Sequence, residues 1–134
     1  MTIHRPSHDV LDALWPQHRE LRQRIPEVYQ GLDELNDAAM VDAALSVKHK
    51  KLIALAIAVA QGCEGSIAAK ARDVVRAGAT SAEVAEAIGV AVTMAGEPAT
   101  VHGARAFGAF QEFDAVATQI RPVSQRPQES MSPR

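Results

Sequence analysis

Between Leu52 and Ala60 the chain reads LIALAIAVA, nine consecutive residues without a polar side chain. The run is under half the length needed to cross a bilayer as a helix. Ser46 before it and Gly62 after it predict a helix from Val47 to about Gln61. A helix that is apolar on every side must be covered on every side. A chain of 134 residues makes one domain with few elements to provide that cover, so a soluble oligomer is expected, in which another subunit supplies part of it.

The segments around this helix read as further helices. Ser7 is positioned to cap one from about His8 to Arg24, with Pro16 allowing a kink, and Pro26 opens a second, PEVYQGLDELNDA, with Val28, Leu32 and Leu35 on one side. Cys63 to Ala77 forms the next, closed by Gly78 in the left-handed conformation. Thr80 and Glu83 have the spacing of a capping box for a helix to about Ala95, and Pro98 starts the last, through roughly Val116. No window alternates with period two, and no internal repeat is evident. The fold class is all-α, with a single domain over residues 1–120. The remainder, 121–134, holds three prolines and almost nothing apolar, and is expected to be a disordered tail.

Only five residues are aromatic, so the core must be built from Ala, Leu, Ile and Val packed helix against helix. The 14 basic and 16 acidic residues are scattered, without the basic stripe that binding to a phosphate backbone requires. Neither nucleic acid nor membrane is an expected partner. The single cysteine cannot form an intrachain disulfide, and MTIHRPSHDV lacks the apolar core of a signal peptide, so a cytoplasmic location is expected.

That cysteine lies in QGCEGSIAAK, where Cys63, Ser66 and Lys70 fall on one helical face. Near a helix N-terminus, free amides and the dipole favour a thiolate. Lys70 lies about 10 Å along the axis from Cys63, but long side chains lean towards the N-terminus, and its amine is expected to approach the space above the thiol. The competing reading of Cys63 is a small buried hydrophobe, and of Ser66 a space-filling residue bonded to a carbonyl one turn back. Lys51 belongs to the charge run KHKK, and a lone histidine such as His102 is commonly a structural hydrogen-bonding group. The other four histidines show no metal-ligand spacing with each other or with Cys63. Trp15 and Tyr29 read as packing residues, with Trp15 also placed where a first helix would lay it across a pocket.

From Ser46 to about Phe110 the apolar helix, the cysteine after QG, the RAGAT turn, the AEVAEAIGVAV helix and the GEPATVHGARA segment follow one another without a gap. In order and spacing this resembles the carboxymuconolactone decarboxylase and alkylhydroperoxidase AhpD-like proteins. The resemblance implies a bundle of about five to six helices, a trimer or hexamer of identical subunits, a small-molecule substrate and no cofactor. Redox-active members carry a glutamate, then two cysteines in a CxxC motif, then a histidine. Those positions correspond here to Lys51, Cys63, Ser66 and Lys70. A serine cannot resolve a sulfenic acid into a disulfide, and lysines are poor proton shuttles unless burial lowers their pKa. The expected activity is therefore a one-cysteine peroxidase at Cys63. The alternatives are decarboxylation or binding of a small carboxylate by Lys51, Lys70 and His102, and a non-catalytic oligomer that binds a small molecule or acts as a scaffold.

Overall fold

The computed structural model describes residues 4–125, which form six α-helices: α1 (Pro6–Arg24), α2 (Pro26–Ala39), α3 (Val47–Gln61), α4 (Glu64–Arg76), α5 (Ser81–Ala95) and α6 (Pro98–Ile120). A 3₁₀ turn, Val123–Gln125, follows. No strand occurs among the described residues. Of the expected disordered tail, residues 126–134 lie outside them.

Short-range signals set most of the boundaries. The Ser46 hydroxyl accepts from the His49 amide and starts α3. The Thr80 hydroxyl accepts from the Glu83 amide and starts α5. The Glu83 carboxylate turns back to Thr80, whose hydroxyl lies 3.3 Å from Oε1, and also pairs with Lys48 Nζ at 3.0 Å. Lys48 first, and Thr80 after it, hold its pKa below the ordinary value. After α4, Gly78 takes φ 80°, the Ala79 amide donates to the Val74 carbonyl and the Gly78 amide to that of Val75, a Schellman ending.

Two boundaries differ from the sequence expectation. Helix α6 continues one turn beyond Val116, to Ile120, and Ala117 in that turn still packs on the core. Helix α1 begins at Pro6, and Ser7 lies inside its first turn instead of capping it. The amides that a cap would satisfy, those of Ser7 and His8, donate to the Glu112 carboxylate of α6 at 3.0 and 3.1 Å.

The core is the four-helix unit α3 to α6, filled by aliphatic residues of which Leu55, Val59, Val74 and Val84 are fully buried, with Phe110 and Phe113 of α6 beside them. Small residues let the helices close up: a Cβ on Gly103 would stand 2.6 Å from Ile88 Cγ2. Helix α1 lies over α4 and α6, and α2 packs chiefly on α1. Neither α1 nor α2 has a buried residue.

The cover expected around α3 is incomplete within one chain. Leu52, Leu55, Ala58 and Val59 face inward, but Ile53 and Ile57 are about half exposed. With Leu45, Val90 and Met94 they line an apolar groove of about 580 Å³ between α3 and α5. The packing role expected of Trp15 is not realised in the single chain, where the side chain is 69% exposed.

Candidate functional site

Gly62 ends α3 with φ 70°, and its amide donates to the Ala58 and Val59 carbonyls. The joint between α3 and α4 is therefore two residues long, Gly62 and Cys63, with Cys63 as the N-cap residue of α4. A side chain at position 62 is excluded twice, by the left-handed backbone and by His102, whose Nε2 would lie 2.7 Å from the added Cβ.

Cys63 is exposed, so the reading of it as a buried hydrophobe gives way to that of an accessible thiol. Its side chain closes no cap bond of the kind a serine would make. The thiol is nevertheless held below its ordinary value, first by the Ser66 hydroxyl, then by the Ser66 amide and, more weakly, the Gly65 amide, against a smaller opposing effect of desolvation. The lowering comes from these neutral donors without a cation.

Lys70 turns elsewhere. Its Nζ lies 3.7 Å from Asp73 Oδ2, and Lys51 Nζ approaches the same oxygen at 3.8 Å. The structure brings the two lysines together across α3 and α4, around a carboxylate that the sequence reading did not single out. The available signal was the i,i+3 spacing of Lys70 and Asp73 on α4. Asp73 offsets one of the two positive charges that a departing carboxylate would draw on. The expected approach of Lys70 to the space above Cys63 is replaced by this pairing.

His102 sits on the other side of the joint. With Gly62, Glu64, Ile67 and Ala68 it lines an open pocket of about 820 Å³ between the start of α1, α4 and α6, of whose wall Cys63 is not a part. Arg105, one turn along α6, also lines this pocket and reaches Glu64 Oε1 at 3.4 Å, an exposed pair. Deeper in α6, Glu112 accepts from the His8 ring at 2.6 Å as well as from the two α1 amides. Desolvation pushes its carboxyl up, but the bonds from His8 and Ser7 outweigh this and hold it below its ordinary value. His8 and Glu112 are 104 positions apart, and no local pattern marks them as partners. Among the described residues no group of three or more potential ligands is placed to hold a metal ion, and no helix is long and apolar enough to cross a membrane.

Comparison with known proteins agrees with this architecture. An uncharacterised protein of Cupriavidus necator is 28% identical over 99 residues, which cover 74% of this chain and 88% of that protein. The crystal structure of the apo form of a carboxymuconolactone decarboxylase family protein from Legionella pneumophila superimposes with a TM-score of 0.80 at 36% identity, covering 83% of this chain and 99% of the other. The sequence profile of the carboxymuconolactone decarboxylase family matches residues 26–109, starting one helix earlier than the resemblance read from Ser46. With α2 to the first half of α6 inside that match, and the same helical bundle in a solved relative, the chain belongs to the carboxymuconolactone decarboxylase family.

Proposed function

We propose that the protein is a one-cysteine thiol peroxidase acting as a homo-oligomer, trimeric or hexameric, on a small hydroperoxide. The Cys63 thiolate attacks the terminal peroxide oxygen. An S–O bond forms as the O–O bond breaks, and the leaving alkoxide takes a proton from solvent. The sulfur is oxidised to sulfenic acid and the peroxide is reduced to an alcohol. An external thiol then condenses with the sulfenic acid and releases water, and a second thiol splits the mixed disulfide and returns the Cys63 thiolate. The observation that supports this reading is the exposed thiol in the N-cap position of α4, with its pKa lowered chiefly by Ser66. With serine at the resolving position, the chain contains no second thiol to do the reducing.

Treating the reduced protein with a hydroperoxide in the presence of dimedone tests the proposal. A dimedone adduct should form at Cys63 and be absent from Cys63→Ala. A folded protein whose Cys63 gives no adduct would rule the peroxidase reading out.

A further inference from the structure

A separate pocket of about 320 Å³ opens between α1, α4 and the C-terminal half of α6. It shares no wall residue with the larger pocket beside His102, and neither Cys63 nor the lysines paired with Asp73 line it. We propose that this pocket binds a small apolar monocarboxylate, with Arg72 and Arg76 holding the carboxylate and the carbon chain lying against α1 and α6. The site is independent of the chemistry at Cys63.

Unmet hydrogen-bonding capacity is the first argument. Arg72 and Arg76 are four positions apart on α4 and so share one face, and both line the pocket. Among the described residues the arginine ion pairs are those of Arg22 with Asp33 and Arg105 with Glu64, and neither Arg72 nor Arg76 has one. The Nε of Arg72 is in addition buried with no acceptor, so its desolvation is not offset. A carboxylate meets a guanidinium through two parallel N–H···O bonds, and Nε with one Nη is an edge that suits it. A small turn of the Arg72 guanidinium presents that edge to the pocket and gives the buried Nε its acceptor.

The charges in the wall select a monoanion. Asp12 of α1 is an exposed carboxylate that also lines the pocket, in no ion pair among the described residues. His8, the remaining polar wall residue, is committed through Nδ1 to Glu112, which is not part of this wall. Two guanidinium charges therefore face one carboxylate, and a ligand of single negative charge brings the wall to neutrality. A phosphate monoester, at about −1.5 to −2, overshoots it. An ammonium group would add to a charge that is already positive.

The rest of the lining selects what the carboxylate is attached to. Leu11 of α1, Val75 of α4, and Phe113, Val116 and Ile120 of α6 make it apolar. It runs from the buried Phe113 to Ile120, which is 78% exposed and would be covered by a bound chain. The volume is at the small end of the range of ligand pockets, which suits a short acyl chain better than a long one. Occupancy would join α1, which has no buried residue of its own, to α4 and α6.

Octanoate is the probe, titrated into the full chain while the melting temperature is followed, with acetate, octylamine and octyl phosphate in parallel. Every shift is read against the same variant's ligand-free melting temperature. Octanoate should raise it by about 4 °C at about ten times its Kd. Acetate, which lacks the chain, and octylamine, which has the wrong charge, should give no rise, and octyl phosphate should bind more weakly than octanoate. Arg76→Met should weaken octanoate binding about tenfold, Arg72→Met should abolish it, and Asp12→Asn, which removes a competing anion, should strengthen it a few-fold. Arg76 and Asp12 are exposed and unpaired among the described residues, so neither change threatens folding. No rise with octanoate, an equal rise with octylamine, or tighter binding of octyl phosphate would overturn the inference. So would a rise that survives both arginine substitutions, which would place octanoate on another apolar surface such as the groove between α3 and α5.

Discussion

Ser66 stands one helical turn after Cys63 and supplies the largest of the effects that lower its pKa. Because those effects are hydrogen bonds to the charged form, removing the hydroxyl removes stabilisation of the thiolate alone. Ser66→Ala should raise the thiol pKa towards its ordinary value, shift the pH profile of iodoacetamide alkylation to higher pH, and slow alkylation near neutral pH a few-fold. Lys70→Met should leave the profile in place, because the Lys70 amine is spent on Asp73. A profile that moved with Lys70 and ignored Ser66 would reverse this assignment. Helical periodicity made the row Cys63, Ser66 and Lys70 legible in the sequence, since three and seven positions are one and two turns. It did not reveal where the Lys70 side chain goes, because a flexible four-carbon stem reaches either neighbour and the choice is made by Asp73 and by Lys51 from another helix.

Helix ends divide in the same way between local and distant causes. Ser46, Thr80 and Gly78 act on residues within one turn, and their bonds are the ones their spacing implies. The start of α1 is held by a residue 105 positions away, which no window of sequence contains. Glu112 is thus a cap donated by α6, and it ties a helix without buried residues to the four-helix unit. Its pKa is depressed in the folded state, so the contribution is present above the unfolded value of about 4.3 and is lost as pH falls through the lower folded value. Glu112→Gln keeps one acceptor oxygen and gives up the charge, at a cost of about 1–2 kcal/mol. The variant should show faster amide exchange in the first turns of α1 at neutral pH, and acidifying the parent protein below that window should produce the same change. Exchange in α1 that responds to neither would show that packing on α4 holds the helix.

At the scale of the whole molecule the apolar surface is larger than one chain can use. Helix α2 turns Val28, Leu32 and Leu35 outward at 58–67% exposure, and the groove between α3 and α5 leaves Ile53, Ile57, Val90 and Met94 at the surface. The first set repeats at i, i+4 and i+7, the stripe of a helix that packs against something, yet within the chain α2 rests chiefly on α1. Contiguous patches of this kind mark association surfaces. Burying the exposed part of each such side chain contributes about 1 kcal/mol, and a charge set in the same place is costly to bury. Purified protein at micromolar concentration should therefore scatter light with at least the mass of a trimer. Leu32→Asp and Ile57→Glu should each lower that mass while the helical circular dichroism is kept, because neither residue is part of the buried core of one chain. If only one of the two variants dissociates, its face is the principal contact and the other patch is secondary. A parent protein that runs as a monomer would show that α2 and the groove are exposed in solution as they are in the single chain, and the covering subunit inferred from LIALAIAVA would have to be abandoned.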